Sequence, residues 1–288
     1  MRLPEGVLPF LDVHTARCRA RVTPFGAQVC EWTPAGQASP VLFLSPRVIL
    51  SGARPIRGGV PVCFPWFGDH PSDATKPAHG FVRTRMWDIA EVTRDDDVRM
   101  VFRLGADAET RALWDAEFVA TLTVTLSTTL TMAFEVRNDG GADITWEAAL
   151  HTYLAVGDVS AIRIAGLERT RYLDKPSGFR EKRTDDDTLT FAGEMDRVFL
   201  DTEASCTIDD PLLHRRLVVA KRGSRATVVW NPGHEKGEAV PDIGDAWNSF
   251  VCVETANCGP HAVRLAPRAA HVMTAVISCE DLPPDSRT

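Results

Sequence analysis

A chain of 288 residues, 44% of them hydrophobic, has material for a large core, and its length does not force a second domain. Its formal net charge of −7 argues against nucleic acid or an anionic membrane as the main partner, yet permits a locally basic site for a small anion. No run approaches the ~20 apolar residues that a spanning helix needs, so no membrane association is expected.

Residues 1–10 carry two prolines and a glutamate and lack the basic start and apolar run of a secretory signal, so a cytoplasmic location is expected. Beyond them, β-rich runs fall at 28–32, 41–44 and 98–104, each bounded by turn chemistry. Residues 107–118 form the one stretch that reads as helix. From 121 to 136 the even positions Leu122, Val124, Leu126, Leu130, Met132, Phe134 and Val136 alternate with mostly threonine. That period of two predicts a half-buried strand, or a hairpin if the chain breaks near Ser127 and Thr128. Asn138-Asp139-Gly140-Gly141 ends it as a turn. Further strands are expected at 162–165, 216–221, 226–230, 250–254 and 271–278. Many short strands with few helices predict an all-β chain, a large antiparallel sandwich or barrel, and no repeat or linker divides it. One domain spanning 1–288 is expected.

The cysteines at 18, 30, 63, 206, 252, 258 and 279 are odd in number and never form Cys-x-x-Cys, which fits buried thiols better than disulfides or zinc. The histidines show no His-x-His or His-x-x-x-His pair, so neither a metal nor a cofactor is expected. The acidic runs 95–97 and 185–187 read as solvated loop tips.

Four segments concentrate ionisable, aromatic and glycine residues. Arg57-Gly58-Gly59-Val60-Pro61 with Phe64-Pro65-Trp66-Phe67-Gly68 suits a sugar face and an anion, or else a rigid aromatic cover with Arg57 in an ion pair. In His79-Gly80-Phe81-Val82-Arg83 an imidazole and a guanidinium stand close enough to meet one anionic or hydroxyl-rich ligand, although a single histidine is commonly structural. In Ala149-Leu150-His151-Thr152-Tyr153 a strand would turn His151 and Tyr153 to the same side. Glu254 ends an apolar run, either buried for a purpose or exposed at a strand end.

Taken in order, these segments resemble the hexose-6-phosphate mutarotases of the aldose 1-epimerase superfamily. The resemblance is carried by Ile56-Arg57-Gly58-Gly59-Val60-Pro61, Ala78-His79-Gly80-Phe81-Val82-Arg83, Ala149-Leu150-His151-Thr152-Tyr153, Val229-Trp230-Asn231-Pro232 and Val251-Cys252-Val253-Glu254. It implies the galactose-mutarotase-like β-sandwich, catalysis by His151 and Glu254, and substrate contacts from His79, Asp196, Arg57 and Arg83. It also implies exchange of α and β anomers of a hexose 6-phosphate, with a monomer expected. Gly233-His234-Glu235-Lys236-Gly237-Glu238 and the loop near Asp242 depart from the family pattern, which bears on sugar specificity. A non-catalytic sugar-phosphate-binding protein and a glycoside hydrolase, which needs two carboxylates flanking the scissile bond, are the competing readings.

Overall fold

The structure, a computed structural model, describes residues 8–184 and 187–283. The alternating stretch is a hairpin, Phe118–Leu126 and Leu130–Asn138, turned at Ser127, Thr128 and Thr129. Its even-numbered apolar side chains are buried and its threonines line the wetter face. This hairpin lies inside an eight-stranded sheet ordered Arg163–Ala165, Cys206–Asp210, Arg215–Arg222, Ala270–Asp281, Leu130–Asn138, Phe118–Leu126, Val98–Gly105 and Asp88–Arg94.

A second large sheet runs Arg180–Arg183, Arg171–Asp174, Met195–Phe199, Ala226–Asn231, Phe250–Asn257, Ala148–Leu150 and Val62–Cys63, with Tyr153–Ala155 also paired to Phe250–Asn257. The ladders in both sheets are antiparallel. Leu122, Phe134, Val229, Val251 and Val253 belong to one apolar cluster, so the two sheets pack face to face as a sandwich. Because side chains alternate across a strand, the neighbours Val228, Trp230, Cys252 and Glu254 point to the opposite, outer face. That face is covered by smaller apolar clusters, one containing Phe43, Tyr153, Ile243 and Phe250 and another Cys63, Ala149, Val198 and Val228.

Tertiary packing corrects several expectations. Residues 41–44 are no regular strand, and Leu42 and Leu44 make single bridges to Leu154 and Gly58. The helix is shorter than 107–118, spanning Ala108–Leu113 behind an Asp107–Thr110 capping box. A second helix, Gly233–Ala239, lay hidden because its two glycines weaken any helical reading. The strand expected to end at 254 continues to Asn257, so Glu254 lies inside a buried strand. All seven cysteines are free thiols, six of them buried. In the first acidic run, Asp96 and Asp97 pair with Arg17 at 2.8 and 2.9 Å, while Asp185 and Asp186 of the second lie outside the described residues.

The loop carrying the first two motifs depends on close backbone approach. Gly80 has φ of +71°, and a Cβ there would stand 1.8 Å from the Phe64 carbonyl oxygen. Gly80→Ala is therefore expected to destabilise the fold by about 2–4 kcal/mol, measured as a lower urea midpoint at unchanged m-value.

Candidate active site

The outer face of the second sheet gathers the polar residues through register alone. Ala148–Leu150 and Tyr153–Ala155 pair with Phe250–Asn257 in one continuous register, Leu150 opposite Thr255 and Tyr153 opposite Cys252. The interruption between them therefore sets His151 opposite Glu254. Residues directly opposite in an antiparallel pair share a face, and the His151 Nε2 to Glu254 Oε1 distance is 3.4 Å. One row further along, Asp196 is opposite Trp230, and Trp230 is opposite Cys252. Asp196, Trp230, Cys252 and Tyr153 thus form a straight line across four strands, beside the His151–Glu254 pair.

The two loops close over this face. The His79 ring packs edge-on to His151 at 5.7 Å and to Phe67 at 4.9 Å. His79 itself has φ of +63°, a left-handed conformation that turns its ring back over the sheet beside Gly80. Tyr153 stacks nearly parallel on His151, 4.8 Å between centroids at 12°, and Trp230 closes the other edge of His151 at 5.7 Å. The Tyr153 hydroxyl accepts from Arg57 Nη1 at 2.9 Å, while Arg57 Nε donates to Asp242 Oδ1 at 3.1 Å. Arg83 Nη2 donates to the Ala78 carbonyl at 2.7 Å. Both guanidinium groups are held by neighbours.

Between these residues lies a hollow of about 330 Å³, lined by Arg57, His79, Arg83, His151, Asp196 and Glu254, with Lys175, Lys236 and Trp230 beside them. All six residues expected from the sequence meet in it. Four cations against two carboxylates make it locally basic in a chain of net charge −7. His151 Nδ1, Glu254 Oε2 and Asp196 Oδ1 are buried without a hydrogen-bond partner. Leaving one such group unsatisfied costs roughly 1–3 kcal/mol; three in one hollow suit a site completed by a polar ligand.

Burial dominates the titration of the pair. It pushes Glu254 well above the ordinary carboxylate range, helped by Asp196 and opposed by Lys175 and Arg83. It pushes His151 well below the ordinary imidazole value, and His79, Arg83 and Arg57 add to the depression. His79 is depressed for the same reason, with Arg83 and Lys175 as the next causes. Burial thus favours the uncharged form of both groups, the protonated carboxyl and the neutral imidazole. Burial also weakens the Arg57 charge, but Tyr153 and Asp242 outweigh it and keep the guanidinium protonated.

Besides Ala78, four lining residues carried no assigned role in the sequence. Lys175 opens a short 3-10 turn, Lys236 sits on the unexpected helix, and Phe67 and Trp230 belong to motifs noted only as aromatic or family-like. The signal for Lys175 was faint: an Asp-Lys-Pro turn placed about 20 residues before Asp196. Asp242, in the loosely matching loop, meets the hollow through Arg57.

A protein-family model described as aldose 1-epimerase matches residues 11–278. A relative from Escherichia coli K12, provisionally named a glucose-6-phosphate 1-epimerase, is 34% identical over 271 residues, covering 93% of this chain and 90% of its own length. A relative from Cenchrus ciliaris with the same provisional name is 32% identical over 267 residues, covering 89% and 80%. A crystal structure from Salmonella typhimurium, described provisionally as a mutarotase, superposes with a TM-score of 0.89 at 29% identity, covering 96% of this chain and 91% of that one.

The buried carboxyl at 254 has a consequence for stability. A folded-state value raised above the ordinary one means that its contribution is lost as pH rises from that ordinary value through the folded one. Glu254→Gln should therefore gain Tm over the parent progressively as pH rises above about 4.5, measured by thermal unfolding across pH 4–9. A constant difference would place the carboxylate in contact with water.

Proposed function

The chain belongs to the aldose 1-epimerase family, and from that premise we propose that it is a mutarotase exchanging the α and β anomers of a hexose 6-phosphate, glucose 6-phosphate first among them. The observation that carries this reading is the coincidence, in one basic hollow, of the buried His151–Glu254 pair with two guanidinium groups already fixed in place.

Anomer exchange needs the O1 hydroxyl to lose a proton while the ring oxygen gains one; rotation about C1–C2 before reclosure then inverts the centre. From the state with the pair's one proton on His151, Glu254 takes the proton from O1 and His151 gives one to the ring oxygen, and on closure the roles reverse. A pair that holds one proton in total is restored after each such cycle without exchange with solvent. The 3.4 Å separation is longer than a hydrogen bond, which fits a gap that tightens around substrate oxygens. His79 and Asp196 hold sugar hydroxyls, and Trp230 and Phe67 offer apolar surfaces for the ring. Arg57, locked by Asp242 and Tyr153, and Arg83, locked by Ala78, receive the 6-phosphate with little ordering left to do.

A glycoside hydrolase would need a second carboxylate free to act on the scissile bond. Asp196 is the other carboxylate of the hollow, and it is engaged by Lys175 at 2.9 Å. That engagement suits a hydroxyl-holding role.

Three outcomes test the proposal. Glu254→Gln should stay folded and lose about 10²–10⁴-fold of the enzyme-driven anomerisation rate, read by polarimetry or exchange NMR against the spontaneous rate. Arg83→Ala should raise KM for glucose 6-phosphate by about 10–10²-fold, the worth of a charge-assisted hydrogen bond, with a far smaller change for glucose; equal effects on the two sugars would remove the phosphate role. Because burial depresses His151, the one-proton pair takes up a second, inactivating proton only well below pH 6.5, so the acid limb of kcat/KM should lie there; a limb at or above pH 6.5 would assign that proton to a different group.

A further inference from the structure

The ladder between Arg171–Asp174 and Met195–Phe199 pairs Asp174 with Arg197, so the next residue, Lys175, arrives level with Asp196. The row of Asp196, Trp230, Cys252 and Tyr153 is thereby extended by a lysine at its far end. The backbone there is pinned. Lys175–Ser177 is a single 3-10 turn closed by Gly178 at φ of +74°, whose N–H donates to the Lys175 carbonyl at 3.0 Å. Asp174 accepts from Ser177 Oγ at 2.7 Å and also pairs with Lys182. With its stem so held, the Lys175 ammonium reaches Asp196 Oδ2 at 2.9 Å and lies 5.3 Å over the Phe67 ring.

We infer that Lys175 is a positioning residue of the hollow: it orients Asp196 toward the sugar, and its ammonium stands as a positive charge in the same hollow as Glu254. Its bond to Oδ2 leaves Oδ1, the buried atom without a partner, as the one presented to a ligand. Without the ammonium, Asp196 would be a buried charge with a nearby like charge at Glu254. Such a pair disfavours ionisation of both. The other cations at the hollow are less suited to this role, because each is held by another group. Arg57 is engaged by Asp242 and Tyr153, Arg83 by Ala78, and Lys236 by Glu194 at 2.6 Å.

The groups that face Glu254 are His151 from the break in the paired strand and Tyr153 just after it, Cys252 on its own strand and Cys258 just beyond that strand, Cys63 and Asp196 on other strands of the sheet, and His79, Arg57, Arg83 and Lys175 from the covering segments. Lys175 is the strongest opposing charge on the Glu254 carboxyl and on that of Asp196, and it depresses His151 and His79 as well. Removing one positive charge raises the proton affinity of every one of these groups, so the whole pH profile moves in one direction.

The inference rests on the anomer-exchange reading, and its test separates the two. Lys175→Met should lower kcat/KM by about 10–10²-fold, the scale of a small misplacement in a preorganised site, and by the same factor for glucose 6-phosphate and glucose. Its kcat/KM profile should shift to higher pH, and Lys175→Arg should restore both rate and profile. In the unliganded protein, the ¹³C carboxyl resonance of Asp196 should titrate at higher pH in Lys175→Met than in the parent. A loss confined to the phosphorylated sugar would make Lys175 a phosphate ligand and overturn the inference, as would an Asp196 titration that does not move. If the parent accelerates neither sugar while the Asp196 titration still moves, the anomer-exchange reading fails and the Lys175–Asp196 coupling stands.

Discussion

The register of Phe250–Asn257 against its interrupted partner is the constraint from which the site follows. Ala148–Leu150 and Tyr153–Ala155 hold the same register on either side of the break. His151 therefore faces Glu254 by geometry that backbone hydrogen bonds enforce, independently of any attraction between the two side chains. A slip of one residue would turn every member of that strand to the wrong face. The apolar residues Leu150, Leu154, Val251 and Val253, all fully buried in the core between the sheets, make such a slip costly. The packing on one side of the sheet thus locks the chemistry on the other.

Electrostatics then act on groups whose positions are already set. Burying a carboxyl and an imidazole side by side raises one proton affinity and lowers the other, which favours a shared proton over an ion pair. The surrounding cations are themselves restrained: Arg57 between Asp242 and Tyr153, Lys175 between Asp196 and Phe67. Tyr153 joins the two halves of the hollow, since its hydroxyl orients Arg57 and its ring lies flat on His151. The Arg57 guanidinium and the His151 imidazole are coupled through that single side chain.

The three unpartnered buried atoms of the hollow weigh against the stability of the fold. They are consistent with a fold that preserves a polar site at some cost and has ample core elsewhere to offset it. The outer sheet face, which in a plain sandwich would be wet and threonine-rich like that of the Phe118–Leu126 hairpin, is roofed by loops whose glycines allow the backbone to come close.

By itself the sequence determined the all-β class, the alternating stretch at 121–136 and the mostly buried thiols, because period-two alternation and cysteine spacing are local properties of a chain. Whether that stretch breaks into a hairpin stayed open, and the six residues of the hollow were reached only through the order of motifs that the family resemblance supplied. It left Glu254 undecided between strand end and interior, since residue type does not reveal how far a ladder continues. It left Lys175 and Lys236 unseen: a lysine in a turn or on a glycine-containing helix looks like any solvated cation until a paired strand brings a carboxylate to it. Only the tertiary structure decided those matters, because cross-strand register joins residues about 20 to 100 positions apart through backbone hydrogen bonds that no local pattern encodes.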